Sequence, residues 1–71
     1  MSHIINAVTV TATDSENFNT LLAEGLNIGK SAIVKRGYDI RNMTEDVQYQ
    51  TLLVNNSTIV YTALITWREK L

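Results

Sequence analysis

Cysteine and proline are absent from this 71-residue chain, and His3 is its only histidine. Without cysteine the chain can form neither a disulfide nor a thiolate metal site, and one histidine does not supply a zinc ligand set within one subunit. A domain of this size buries a modest part of its apolar surface, so small domains usually add disulfides, a metal or a partner subunit. The sequence therefore predicts one domain, residues 1–71, that gains stability by self-association.

Long hydrophobic runs and a basic amino-terminal segment are missing as well. No stretch is apolar enough to span a bilayer, and within residues 1–12 the apolar residues alternate with threonine, which is not the pattern of a signal peptide. The composition, 45% hydrophobic and 18% charged, is typical of a folded globular chain. We expect a cytoplasmic protein with no membrane partner.

Groups suited to catalysis are few. No Ser-His-Asp or Cys-His set can be assembled around His3. Glu45 and Asp46 are neighbours, but adjacent residues of a strand point to opposite faces, so they do not make a carboxylate pair. The sequence predicts a protein that is not an enzyme and that holds no metal and no cofactor.

The charged residues are nearly balanced in number but not in position. With 6 basic and 7 acidic residues the formal net charge is −1, so no overall field attracts nucleic acid. Four of the six basic residues lie close together around Tyr38, and they are Lys30, Lys35, Arg36 and Arg41. Basic groups beside an aromatic ring suit an anion with a flat face, such as a nucleotide. The alternative is a solubilising surface that balances the acidic residues between positions 14 and 24.

The segment GLNIGKSA, residues 25–32, resembles the end of a phosphate-binding loop. Its spacing, G-x-x-x-G-K-S, is one residue shorter than the G-x-x-x-x-G-K-[ST] motif, and it follows a helical pattern where the motif should precede a helix. We therefore interpret Gly29 as the left-handed residue that ends the helix. Any bound phosphate would then be held by side chains of residues 30–41 and not by a glycine loop.

The first half of the chain reads as a strand followed by a helix. Residues 4–13 alternate apolar and threonine side chains, which predicts a half-buried strand. Residues 13–29 follow, with a capping box at Thr13 and Glu16 and an apolar stripe at helical spacing. The helix is therefore amphipathic, with one face toward a core.

The second half of the chain reads as three strands. Residues 32–34 favour a strand, with Gly37 as a bulge or turn. Residues 47–54 and 58–67 are two further strands, and Asn-Asn-Ser between them is a tight-turn signal. We predict an α+β fold of order β-α-β-β-β, with a four-stranded mixed or antiparallel sheet and one helix on one face.

The last strand is apolar on both faces, so it is either central or covered by a second subunit. One helix cannot cover both faces of a sheet, and an exposed apolar face usually marks an interface. We predict interface positions at Tyr49, Tyr61 and Ile65. Trp67 and Arg68 are predicted to complete the ligand site, with the indole stacking on a base.

The carboxy-terminal part, VQYQTLLVNNSTIVYTALITWRE, is similar to the terminal hairpin of small Bacillus-type sporulation and phage-associated accessory proteins. The residues that carry the resemblance are Tyr49, Gln50, Tyr61, Trp67 and Arg68. The order of elements also resembles dodecin, a small flavin binder that assembles into a hollow shell, and the segment TDSENF resembles its helix start and YQT its last strand. The matching stretch has no equivalent of the flavin-stacking tryptophan, so the resemblance does not imply flavin binding.

The first functional hypothesis is a homo-oligomeric, non-enzymatic binding module that sequesters a nucleotide-like anion at pockets between subunits. Lys35, Arg36 and Arg41 would bind phosphate, and Tyr38 or Trp67 would stack on the base. A phage accessory protein that absorbs signalling nucleotides in the cytoplasm of a bacterial host, as an anti-defence device, is a natural role for such a molecule. The alternative is a protein-interaction module, either an inhibitor of a host enzyme or a structural accessory protein of sporulation.

Overall fold

Three strands and one long helix make up residues 3–70, the part of the chain that the computed structural model describes. A short 3-10 helix connects the long helix to the second strand. In chain order the elements are β1 (Ile4–Ala12), α1 (Ser15–Lys35), the 3-10 helix (Ile40–Asn42), β2 (Met43–Val54) and β3 (Thr58–Glu69).

The sheet has three strands in the order β1-β3-β2, and both neighbouring pairs are antiparallel. The α+β class is therefore confirmed, and the prediction of a four-stranded sheet is wrong. The segment 32–34, which was expected to be the extra strand, lies inside α1. Of the two alternatives left open for the last strand, the structure shows the central position, since β3 lies between the other two strands.

The helix begins one residue later than the capping-box pattern indicated. Asp14 is the N-cap, and its Oδ2 accepts a hydrogen bond from the backbone N–H of Asn17 at 3.2 Å. The helix does not end at Gly29, but continues for six more residues to Lys35. The residue that ends it is Gly37, which has the left-handed φ of +92°.

Hydrogen bonds at the end of α1 form a Schellman motif. The N–H of Gly37 donates to the carbonyl of Val34 at 3.0 Å, and the N–H of Tyr38 donates to the carbonyl of Ile33 at 3.2 Å. Tyr38 is half-buried and packs against the core. The helix therefore stops where glycine can adopt a positive φ and where the next residue has an apolar body to bury.

The two glycines inside α1 allow the helix to approach the sheet closely. Gly25 and Gly29 are both buried and lie one turn apart on the face that contacts the strands. A Cβ added at Gly29 would overlap the six-membered ring of Trp67. Glycine in a helix interior costs roughly 1 kcal/mol relative to alanine. That cost is offset here because the buried indole ring occupies the space that a side chain would take.

The strands β2 and β3 form a hairpin, and its turn is the Asn-Asn-Ser segment that the sequence predicted as a tight turn. Asn55 and Asn56 have φ values of 56° and 59°, and the N–H of Ser57 donates to the carbonyl of Val54 at 3.3 Å. Two successive positive φ values define the tight turn that matches the twist of a hairpin, and asparagine tolerates them well.

The helix covers only part of the sheet. It packs mainly against β1, less against β3 and least against β2. The core lies between the helix and the strands and consists of the buried apolar residues Val10, Ala12, Phe18, Ile33, Met43, Ala63, Ile65 and Trp67. The opposite face of the sheet, here called the outer face, has no covering element among residues 3–70.

The molecule is elongated because the hairpin is longer than β1. The last residue pair of β1 is Ala12 with Tyr61, so residues 52–60, here called the hairpin end, extend beyond it as two strands. The extents are 43 × 24 × 14 Å and the radius of gyration is 13.9 Å. A compact domain of 71 residues has a radius of about 11 Å.

Candidate interaction surface

Most of the predicted ligand-binding cations lie at the end of the sheet opposite the hairpin end, here called the base end, where Ile4, Met43 and Glu69 are found. Residues 30–41 reach this end because α1 runs antiparallel to β1 and terminates beside its start. The structure therefore brings the end of α1, the 3-10 helix and the start of β2 together. Lys30 and Lys35 line one shallow groove there, but Arg36, Arg41 and Arg68 do not.

Lys30 takes part in a cluster that joins the helix to the sheet. Its Nζ lies 3.6 Å from Oε1 of Glu45, and the same oxygen accepts a hydrogen bond from Nε1 of Trp67 at 2.9 Å. Glu45 thus satisfies the polar atom of the buried indole and pairs with the lysine above it. Trp67 is 1% exposed, so in this fold its ring presents no free face on which a base could stack.

Arg36 is held by the start of β1 and by an aromatic ring. Its Nη1 donates to the backbone carbonyl of Ile5 at 2.7 Å, and its guanidinium carbon lies 5.5 Å from the centroid of the Tyr38 ring. The predicted neighbourhood of Arg36 and Tyr38 is therefore present. Both groups already contribute to closing the end of the helix against β1.

Arg41 forms an exposed bidentate pair with Asp39. Its Nε and Nη2 donate to the two carboxylate oxygens at 3.1 Å each, and its backbone N–H donates to Oδ1 at 3.0 Å. The hydrogen bonds from Arg41 hold the pKa of Asp39 below its usual value, and the same pair raises the pKa of Arg41. The guanidinium is thus already occupied by a carboxylate of its own chain.

Two predicted binding residues, Lys35 and Arg68, are exposed and take part in no ion pair among residues 3–70. Lys35 lies in the last turn of α1. Arg68 lies on the outer face near the base end, because its neighbours across the strands are Ile4 and Thr44. It lies on the opposite side of the sheet from Trp67, so the two do not form one site.

The three predicted interface positions have different environments. Ile65 is fully buried beneath the helix. Tyr61 is half-buried, and its ring centroid lies 5.8 Å from that of Phe18. Tyr49 contacts Phe18 edge-on at 6.5 Å but is 65% exposed. Tyr49 is therefore the position of the three with most surface available to a partner.

The hairpin end carries an apolar surface that the sequence reasoning did not single out. Four of its large apolar side chains are exposed, namely Leu52, Leu53, Val54 and Ile59. They lie on both faces, since successive residues of a strand alternate. A signal was present in the sequence. Residues 47–67 contain no charged side chain, and positions 52–54 are apolar without alternation.

Metal-binding clusters and membrane-spanning helices are both missing from residues 3–70. That part of the chain has no group of three or more His, Cys, Asp or Glu side chains that could hold a metal ion. None of its helices is long and apolar enough to cross a membrane.

No protein-family model, curated protein or solved structure matches this chain. The resemblances to sporulation and phage-associated proteins and to dodecin therefore stay predictions, and the function is inferred from the surfaces described above.

Proposed function

We propose that this chain is a non-enzymatic, homo-oligomeric interaction module in which the uncharged strand pair, residues 47–67, forms the contact between copies. The observation that supports this best is the exposed apolar surface of the hairpin end, where Leu53 is 63% exposed and Ile59 is 47% exposed. Contiguous exposed apolar side chains on a folded chain usually mark a protein interface.

The surface area and shape of the chain also favour a partner. The accessible surface is 5064 Å² for a mass of 8.0 kDa, whereas a globular monomer of this mass exposes about 4,450 Å². The excess of roughly 600 Å² approaches the ~800 Å² that each partner buries in a standard interface. A two-stranded hairpin is also marginally stable by itself in water, so covering the hairpin end would stabilise it.

Charge favours a second copy of this chain as the partner. Apart from Glu45 and Asp46 in β2, and Arg68 and Glu69 in β3, the hairpin carries no charged side chain. Two identical surfaces can approach each other when they carry no like charges to repel.

Sedimentation velocity over a range of concentrations tests the proposal. We expect a concentration-dependent oligomer, and we expect Leu53→Thr with Ile59→Thr to weaken it by about tenfold or more, as loss of interface anchors typically does. Threonine keeps the strand propensity, so the hairpin itself is retained. Ile28→Ala is the matched control, because Ile28 is an equally exposed apolar residue on α1.

The control should associate like the parent chain. A parent chain that is monomeric at its highest soluble concentration would refute the proposal. If Ile28→Ala weakened self-association and the hairpin substitutions had no effect, the contact between copies would lie on the helix.

A second candidate function is binding of a nucleotide-like anion at the base end of each subunit in the oligomer. The observation that favours it is the surface stack of Arg36 on Tyr38, next in sequence to the exposed Lys35. We expect nucleotides or cyclic dinucleotides to raise the melting temperature, since a ligand that binds the folded state stabilises it by mass action. Lys35→Ala should remove the shift, and Lys70→Ala, at an exposed position beyond β3, should retain it. Absence of any shift in the parent chain would remove this candidate.

A further inference from the structure

The two edges of the sheet differ in how they are protected. At the β1 edge, the pairing register with β3 shifts between Ile4 and Asn6, the carbonyl of Ile5 accepts a hydrogen bond from Arg36, and the Asn6 side chain donates to the carbonyl of Gly29 at 3.2 Å. Bulges and covering elements are the devices by which proteins prevent an edge strand from pairing with another chain.

The β2 edge has none of these devices. Its twelve residues, Met43–Val54, pair with β3 in an uninterrupted register, and the helix contacts this strand least. The strand contains no proline and no lysine, and its charges are confined to Glu45 and Asp46 near one end. In an antiparallel edge strand, half of the backbone N–H and C=O groups point away from the sheet and are free to pair.

We propose that β2 of one copy pairs antiparallel with β2 of a second copy about a two-fold axis perpendicular to the sheet. This inference rests on the proposed function and names the edge through which the copies associate. It produces one continuous six-stranded sheet with both helices on the same face. The outer faces of the two copies then form a single surface without a helix.

Symmetry restricts the register of this pairing. Residues directly opposite each other in antiparallel strands point to the same face, so even-numbered residues pair with even-numbered ones. The registers that use nearly the whole of β2 place either Gln48 or Tyr49 on the axis. In both registers, Glu45 and Asp46 lie opposite uncharged residues of the partner, so the pairing brings no like charges together.

The pairing also covers exposed apolar groups at the hairpin end. In both registers Leu53 lies beside Met43 or Glu45 of the second copy, on the helix side of the sheet. That part of the molecule has a shallow groove lined by Val34 and Ile40 together with Lys30, Ser31 and Lys35, and most of its surface is apolar. Val34 is itself 56% exposed. The two-fold arrangement therefore brings exposed apolar side chains of one copy to an exposed apolar groove of the other.

Charge substitutions on the outer face of β2 test this edge directly. Gln48→Glu with Gln50→Glu places like carboxylates opposite each other, or opposite Asp46, in either register, with Cβ atoms about 5 Å apart. We expect this variant to associate at least about tenfold more weakly. Mixing it with the Gln48→Lys, Gln50→Lys variant should restore association, since oppositely charged pairs then outnumber like-charged ones in either register.

The matched control is Thr9→Glu with Thr11→Glu. Thr9 and Thr11 lie on the same rungs of the sheet as Gln48 and Gln50, but at the β1 edge. This variant should keep the association of the parent chain, which sedimentation velocity measures for all four proteins.

The outcomes separate the two proposals. An oligomeric parent chain whose Gln48→Glu, Gln50→Glu variant associates unchanged would overturn the β2 pairing and leave the proposed function standing. Dissociation of the Thr9→Glu, Thr11→Glu variant alone would assign the contact to β1 and also overturn it. A monomeric parent chain would refute the proposed function and this inference together.

Discussion

The part of the sheet beneath the helix and the hairpin end are built from the same two strands, yet their surroundings are opposite. On the helix-facing side of β3, Ile65 and Trp67 are 0% and 1% exposed, whereas Ile59 on the same side of the same strand is 47% exposed. The difference arises because α1 starts at Ser15, after β1 has ended opposite Tyr61. Apolar side chains thus occupy the helix-facing side along the whole of β3. Those that α1 covers belong to the core, and those beyond its start are exposed.

The largest expected difference in stability is between two isoleucine substitutions in β3, one beneath the helix and one in the hairpin end. Ile65→Ala should lower the free energy of unfolding by about 2–5 kcal/mol, because it leaves a cavity beneath the helix. Ile59→Ala removes the same atoms from an exposed site and should cost less than about 1 kcal/mol.

Chemical denaturation measures the free energy of unfolding of both isoleucine variants. The concentration should be one at which the chain is monomeric, because self-association adds to apparent stability. Equal costs for the two substitutions would contradict the division of the molecule into a covered and an uncovered part.

Alanine substitutions at the two helix glycines should have different effects on stability, although both positions lie in the covered part. Gly29→Ala should destabilise the chain by roughly 1–3 kcal/mol, although alanine is the better helix former, because its Cβ would overlap the Trp67 ring. A Cβ at Gly25 would lie 3.0 Å from Cγ2 of Val10 and 3.3 Å from Cγ1 of Val8. These methyl groups can move by a few tenths of an ångström, so Gly25→Ala should be nearly neutral.

Thermal denaturation of the two alanine variants, side by side, measures this difference. A stabilising Gly29→Ala substitution would show that the helix does not depend on its close contact with the indole.

An effect no larger than that of Gly29→Ala is expected where the covered part meets solvent, at Glu45. Glu45→Leu removes the acceptor of the buried Trp67 N–H, and an unsatisfied buried donor costs about 1–3 kcal/mol. Glu45→Gln keeps an acceptor oxygen and loses the partly exposed ion pair with Lys30, which is worth about 0–1 kcal/mol.

Denaturation curves measure the stability of the two Glu45 variants, and tryptophan fluorescence reports the surroundings of the Trp67 indole. If the leucine and glutamine variants were equally stable, the hydrogen bond to the indole would not contribute to stability.

Much of the secondary structure could be predicted because its signals are local. The alternation of Val8, Val10 and Ala12 with threonine favours a strand, and Asn55 with Asn56 supplies the positive φ values that a hairpin turn needs. The helix end was mistaken because Gly29 and the β-branched residues after it have weak helix propensity. Packing against Trp67 overrides that propensity, and no local pattern reveals it.

The candidate site was predicted less well, because proximity in sequence does not establish which groups are free. The clustering of basic residues between positions 30 and 41 is a property of the sequence. Contacts from distant positions then engage them, since Lys30 pairs with Glu45 and Arg36 with the carbonyl of Ile5. These partners lie fifteen or more positions away, so the composition of the segment did not identify them.

The sequence by itself determined the order of strand, helix and hairpin, the tight turn and the absence of charge from residues 47–67, because these depend on neighbouring residues alone. Only the tertiary structure decided that Gly29 lies against an indole and Gly25 against two valines, that Arg36 engages the start of the β1 edge, and that the β2 edge and the hairpin end remain open. Those features depend on where one helix of fixed length lies across a longer sheet, and that placement is set by packing between residues far apart in the chain.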